Sequence, residues 1–88
     1  MVQYVYTIHA EEKLTLPRVR KLRISKKRIE RVIEKPIVVD ASEQPVLIAI
    51  GNLTKALSLC VVYRRIEEII RVITFYPAEK GRYERKIL

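Results

Sequence analysis

The 88-residue chain is poor in several residue types, and each shortage narrows the chemistry open to it. It contains two glycines, one cysteine, one histidine and no tryptophan. Two glycines are too few for a Gly-rich phosphate loop. The single cysteine, Cys60, can form neither an internal disulfide nor a cysteine-based metal cluster. Carboxylates with metal-ligand spacing and a Ser-His-Asp set are also missing. Nucleotide hydrolases of the P-loop type and metalloenzymes are therefore disfavoured, and we expect no cofactor and no metal.

Long apolar runs are missing as well. No stretch approaches the roughly 20 apolar residues that a membrane-spanning helix needs, and the first ten residues do not resemble a secretory signal peptide. A lone cysteine favours a reducing compartment. We therefore expect a cytoplasmic protein with no membrane partner. Apolar residues make up 49% of the sequence and charged residues 32%, which is typical of one folded domain over residues 1–88.

Positive charge is what the sequence has in excess. The chain has 18 Lys and Arg residues against 10 Asp and Glu residues, a net charge of +8. Residues 13–35 hold ten basic residues and only two acidic ones, Glu30 and Glu34. A concentrated positive field of this kind attracts polyanions or an acidic protein. The alternative, a solvated surface of ion pairs, needs residues of both charge signs. The basic side chains that we predict to contact nucleic acid are Lys26, Lys27, Arg31 and Arg64.

The first half of the chain predicts one strand followed by helices. Residues 2–8 alternate β-branched and aromatic side chains in the manner of a strand. Residues 10–23 have a helical pattern, but Pro17 interrupts it and predicts two short helices or one kinked helix. Ser25 then provides an N-cap for a further helix with one buried stripe. That stripe consists of Ile29, Val32 and Ile33, and Pro36 ends the helix.

The second half of the chain predicts four strands joined by short turns, at residues 37–41, 45–51, 56–63 and 68–76. Short connections favour antiparallel pairing of consecutive strands. The last two strands are apolar on both faces and should lie in the centre of the sheet. The predicted fold is a two-layer α+β domain with the order β-α-α-β-β-β-β, in which two short helices cover one face of an antiparallel sheet.

This order of elements resembles the RelE-like superfamily of small toxins, and the sequence is most similar to the BrnT toxins and a related family of small domains. Four segments carry the resemblance: "YTIHA" at 6–10, "RISKKRIERVIEKP" at 23–36, "LCVVYRR" at 59–65 and "RVITFYP" at 71–77. The resemblance implies a ribonuclease that acts on messenger RNA and is neutralised by a cognate antitoxin protein. It also implies that basic and aromatic groups after the last strand serve catalysis or RNA binding.

Metal-free RNA cleavage needs a base for the ribose 2′-hydroxyl, an acid for the 5′-oxygen and cations for the phosphate. Histidine is the residue type whose ordinary pKa, about 6.5, suits this proton transfer. His9 ends the first strand, and its alternative role is that of an exposed histidine at a helix start. Arg71 is expected mid-strand on the face of Phe75, where it contacts phosphate or pairs with Glu67 or Glu68. The residues predicted to be catalytic are His9, Arg65, Arg71, Lys80, Arg82 and Tyr83.

Other interpretations stay open at this stage. Tyr83 could belong to a short C-terminal helix and pack with Ile87 on the sheet. The protein could be a non-catalytic module that binds nucleic acid or an acidic protein through residues 13–35. It could also form a homodimer in which residues 2–8 pair across a two-fold axis.

Overall fold

A computed structural model describes residues 1–81 as a five-stranded sheet with three short helices on one face. The elements, in chain order, are β1 (Gln3–Tyr6), α1 (Ile8–Lys13), α2 (Pro17–Lys21), α3 (Lys26–Glu34), β2 (Val38–Asp40), β3 (Leu47–Asn52), β4 (Leu57–Ile66) and β5 (Ile69–Glu79). The α+β class is confirmed. None of the described helices has the length and apolar character needed to span a membrane.

The sheet has the strand order β1-β5-β4-β3-β2. Strands β2 to β5 form the predicted antiparallel meander, and the two most apolar strands, β4 and β5, each have a strand on both sides. The sheet is nevertheless mixed, because β1 pairs with β5 in parallel. The prediction of a wholly antiparallel sheet is therefore wrong. The helices carry the chain from β1 to the far edge, and three hairpin reversals then return β5 beside β1 in the same direction.

The region between β1 and β2 holds three helices. Helices α1 and α2 are the two short helices predicted as one alternative for residues 10–23, whereas the predicted order β-α-α-β-β-β-β counted one helix too few. Pro17 occupies the first turn of α2, where its missing N–H is not needed, and Leu16 before it is extended with φ −66° and ψ 138°. Pro17 thus starts a helix after a break and does not kink a longer one.

A Schellman motif joins α2 to α3. Arg23 adopts a left-handed conformation with φ 58°. The N–H of Ile24 donates to the carbonyl of Val19 at 3.1 Å, and both side chains are buried. Ser25 then caps α3 as predicted, because its hydroxyl accepts the Arg28 N–H at 3.3 Å. This tight junction lets α2 and α3 both pack on the sheet.

The main core lies between the helices and the sheet. The predicted stripe of α3 is buried there: Ile29, Val32 and Ile33. Strand β3 approaches α3 closely at Gly51, where a Cβ atom would lie 2.9 Å from Val32 Cγ2. Glycine fits here because a side chain would force Val32 to shift.

Strand β5 contains a β-bulge. Val72 pairs with Tyr63 and Thr74 pairs with Val62, so Ile73 is the extra residue. The extra residue reverses the alternation of side chains, and Phe75 is buried with Val72 in the core beneath the helices. Arg71 is exposed on the opposite face. The prediction that Arg71 shares a face with Phe75 is therefore wrong.

Candidate nucleic-acid interface

Two tyrosines of β1 hold the acidic residues of α3. The Tyr6 hydroxyl donates to Glu30 Oε2 at 2.7 Å, and the Tyr4 hydroxyl donates to Glu34 Oε1 at 3.3 Å. Burial, then the Glu34 carboxylate, raises the pKa of Tyr4 to about 12. Burial and the hydrogen bond to Glu30 raise the pKa of Tyr6 well above its ordinary value. Both carboxylates are therefore bonded to the edge strand β1, and neither forms an ion pair with a cation of residues 1–81.

The remaining charge of residues 13–35 forms what we call the basic helical surface. Its members are exposed cations that make no ion pair with a carboxylate anywhere in residues 1–81. They are Arg18, Arg20, Lys21, Arg23, Lys27, Arg31 and Lys35. Two of the predicted nucleic-acid contacts, Lys27 and Arg31, belong to this surface.

The other two predicted contacts lie elsewhere. Lys26 forms an ion pair and a cation–π contact within the protein: its Nζ lies 2.9 Å from Glu11 Oε1 and 4.8 Å from the centroid of the Tyr6 ring. Arg64 lies directly across from Arg71 on β4 and β5. These two arginines are exposed on the face of the sheet that the helices leave uncovered, so Arg64 does not join the basic helical surface.

Three of the cations predicted to be catalytic, Arg65, Arg71 and Lys80, are spread along the hairpin of β4 and β5. Arg65 pairs with Ile70 at the start of the strand, and its Nε donates to the carbonyl of Glu67 at 3.1 Å. Lys80 follows the other end of the strand, ten residues after Ile70, which is about 33 Å along an extended chain. Arg71 lies on the face opposite to Arg65. The structure therefore does not bring these three cations to one phosphate, and the predicted Arg82 and Tyr83 lie outside the described residues.

His9 does lie in a cavity, together with a lysine that was not among the predicted catalytic residues. Helix α1 begins at Ile8, so His9 and Lys13 are one turn apart on the same side. They line a cavity of about 190 Å³ with Glu12 and Leu16. A second cavity, of about 340 Å³, shares Lys13 and Leu16 and adds Arg18, Val19, Leu22, Tyr76 and Pro77. We call the two cavities the α1–β5 groove.

Thr7 determines where this groove forms. Its hydroxyl donates to the carbonyl of Ile73 at 2.7 Å and accepts the N–H of Ala10 at 3.1 Å. The same side chain therefore ends β1, caps α1 and fixes the helix beside β5. The last β1 pair is Tyr6 with Val72, so among residues 1–81 the later part of β5 has only β4 as a strand neighbour. Pro77 is tolerated inside β5 because it lies on this edge stretch.

Lys13 is half-buried and lines both cavities of the groove. Its Nζ donates to Thr74 Oγ1 at 3.3 Å and lies 5.4 Å and 5.9 Å from the ring centroids of Phe75 and Tyr76. No carboxylate of residues 1–81 comes within ion-pair distance of it. Burial lowers the pKa of Lys13, since a desolvated ammonium without a counter-charge is disfavoured. An anion bound in the groove would supply the missing counter-charge.

A local signal could have located the groove from the sequence. Thr7 is a good N-cap, and reading it as one places His9 and Lys13 four residues apart on a helix. The prediction instead continued the strand to residue 8. Arg18 and Tyr76 reach the groove through tertiary packing.

Comparisons of the chain with protein-family models, with curated proteins and with solved structures returned no match. The resemblance to the RelE-like toxins and the BrnT type therefore stays a prediction.

Proposed function

We propose that this protein binds RNA through its basic helical surface, as a toxin-type RNA-binding protein. The observation that supports the proposal is the separation of charge on α3. Glu30 and Glu34 bond to tyrosines of β1, while Lys27 and Arg31 are exposed and have no carboxylate partner among residues 1–81. A surface that carries unpaired positive charges raises the local concentration of a polyanion before specific contacts form.

The same surface sets the form of recognition that we expect. Lysine and arginine side chains on helices contact phosphates, which position an RNA strand without reading its bases. Binding should therefore be strong at low ionic strength and weaken steeply with salt. An acidic protein such as a cognate antitoxin could occupy the same cations, and this partner stays a prediction of the resemblance.

A salt titration tests the proposal. We expect the affinity for a single-stranded oligoribonucleotide to fall with a log–log slope of about 0.7 per phosphate contact. Lys27→Gln with Arg31→Gln should reduce that slope by more than 1. Arg64→Gln is the matched control, because it removes an exposed cation from the other face and should leave the slope unchanged. Absence of binding at low salt would overturn the proposal.

A second candidate function is endonucleolytic cleavage of the bound RNA, and the position of His9 and Lys13 in one cavity favours it. In this reaction the imidazole of His9 would accept the proton of a ribose 2′-hydroxyl. The 2′-oxygen attacks the adjacent phosphorus, the P–O5′ bond breaks, and the departing 5′-oxygen takes up a proton from water. Lys13 would stabilise the charge that develops on the phosphate. The products are a 2′,3′-cyclic phosphate and a 5′-hydroxyl.

Cleavage is tested by incubating the purified protein with end-labelled RNA, with and without ribosomes and with EDTA throughout. His9→Gln should abolish product formation and leave RNA binding intact, because it changes proton transfer and not the basic helical surface. Lys80→Gln is informative as a comparison, since Lys80 lies beyond the far end of β5. Binding without product in both assays would leave a non-catalytic RNA-binding module as the function.

A further inference from the structure

We infer that the larger cavity of the α1–β5 groove binds one nucleotide unit, with its phosphate on Lys13 and Arg18 and its base against Tyr76. The inference deepens the proposed function, because it takes RNA as the source of that nucleotide. Three features of the cavity carry it: its charge, its walls and its size.

The two cations of the cavity have no ion-pair partner in the part of the chain that the structure describes. Lys13 is half-buried, and its hydrogen-bond acceptor is the neutral hydroxyl of Thr74. Arg18 is exposed at the rim and makes no ion pair within residues 1–81. Glu12 is the acidic residue of the groove, and it lines the His9 cavity and not the larger one. A bound phosphate would meet two cations there and no carboxylate from the lining residues.

The remaining walls suit an aromatic ring. They are formed by apolar side chains and one partly buried tyrosine ring: Leu16, Val19, Leu22, Pro77 and Tyr76. Leu16 is unusually exposed for its size, with 48% of its surface open to solvent. Bases stack on aromatic and apolar side chains through their π-faces without regard to sequence. A ligand with a flat ring and an anionic group can pack its ring against these apolar walls and place its anion on Lys13.

The size of the cavity limits the ligand. Its volume of about 340 Å³ lies at the lower end of small-molecule sites. One base with its sugar and phosphate matches this volume, whereas a duplex does not enter it. The bound unit would therefore be a free nucleotide or a base extruded from a single strand.

The test compares four ligands by ¹H–¹⁵N NMR titration of the intact protein: AMP, adenosine, ribose 5-phosphate and an octaadenylate. AMP should shift the amides of Leu16, Val19 and Leu22 and should bind about tenfold more tightly than either fragment. Lys13→Met should weaken AMP and ribose 5-phosphate but not adenosine. Tyr76→Leu should weaken AMP and adenosine but not ribose 5-phosphate.

Control variants separate lost contacts from lost folding. Tyr76→Phe keeps the ring and Lys13→Arg keeps the charge, so both should bind AMP nearly as well as the wild type. Lys55→Met removes an exposed lysine of the β3–β4 turn and should change nothing. A native amide spectrum is required of each variant.

The outcomes distinguish this inference from the proposed function. If the octaadenylate shifts only the amides of α3 and binds the groove variants normally, RNA binding stands and the nucleotide site is refuted. If AMP binds the groove but the octaadenylate does not bind, the site stands, its ligand is a free nucleotide and the proposed RNA binding fails. No shift of groove amides with millimolar AMP or with the octaadenylate overturns the inference.

Discussion

Replacing Gly51 with alanine should destabilise the protein, because the added methyl group meets α3. A Cβ at this position would lie 2.9 Å from Val32 Cγ2 and 3.2 Å from Val32 Cγ1, whereas nonbonded carbons normally settle at about 3.5–4.0 Å. Val32 is buried, and its branched side chain has one strongly preferred rotamer in a helix. Overpacking of this kind costs about 1–3 kcal/mol.

A smaller effect, the backbone entropy of glycine, acts against this steric cost. Glycine in a strand loses more backbone entropy on folding than alanine does, which favours alanine by roughly 0.5–1 kcal/mol. The steric effect is larger, so we expect Gly51→Ala to lower the free energy of unfolding by about 1–2 kcal/mol. Val32→Ala alone leaves a cavity and should cost about 2 kcal/mol. In the double variant the new methyl group fills part of that cavity, and the loss should be at least ~1 kcal/mol smaller than the sum.

Urea unfolding followed by far-ultraviolet circular dichroism measures these free energies, and equal m-values show that the comparison is valid. Val5→Ala is the control: Val5 is exposed on the face of the sheet that the helices leave uncovered, and its truncation should change stability by less than about 0.5 kcal/mol. Strict additivity of the Gly51 and Val32 changes, or a neutral Gly51→Ala, would refute the close contact between β3 and α3. The basic helical surface depends on this contact for its position.

Three further predictions follow from the contacts described. Arg23→Gly should raise the urea midpoint, with a gain of about 0.5–1 kcal/mol, because glycine adopts the left-handed conformation of Arg23 without strain; a lower midpoint would contradict this. Tyr6→Phe should cost about 1–2 kcal/mol by leaving Glu30 without its hydroxyl donor, and the loss should vanish when Glu30 is also changed to Gln. Burial raises the pKa of Cys60 from 9.0 to about 11. The buried neutral thiol therefore contributes its full stability below pH 9. That stability is lost as the pH rises to 11, which lowers the free energy of unfolding by about 2 kcal/mol. Tyr4 acts in the same direction between pH 10 and about 12, and Cys60→Ala should flatten the pH 9–11 part of the unfolding profile.

Local features of the fold were predictable because their causes lie within a few residues. The Ser25 cap and the apolar stripe of α3 require only a helix that begins at residue 26. Pro17 restricts its own φ and the residue before it, so a break at that point followed from the sequence. Strands that are apolar on both faces are typical of the centre of a sheet, which predicted the inner positions of β4 and β5.

The candidate site was less predictable, because it depends on contacts between distant residues. The bulge at Ile73 moved Arg71 to the face opposite Phe75, and no local pattern of apolar residues reports such an insertion. The length of β5 separates Arg65 from Lys80, although both were predicted to be catalytic. The sequence pattern indicates Lys13 only as one of the basic residues of the segment 13–35, whereas tertiary packing places it beside Thr74 and Tyr76.

The sequence by itself determined the helix caps, the meander and the concentration of positive charge in residues 13–35, since these follow from local backbone preferences and composition. Only the tertiary structure decided which charges stay unpaired and which meet in one cavity. The parallel pairing of β1 with β5 is the physical reason. It brings Tyr4 and Tyr6 to the carboxylates of α3, and it ends early enough for α1 to set Lys13 against the open edge of β5.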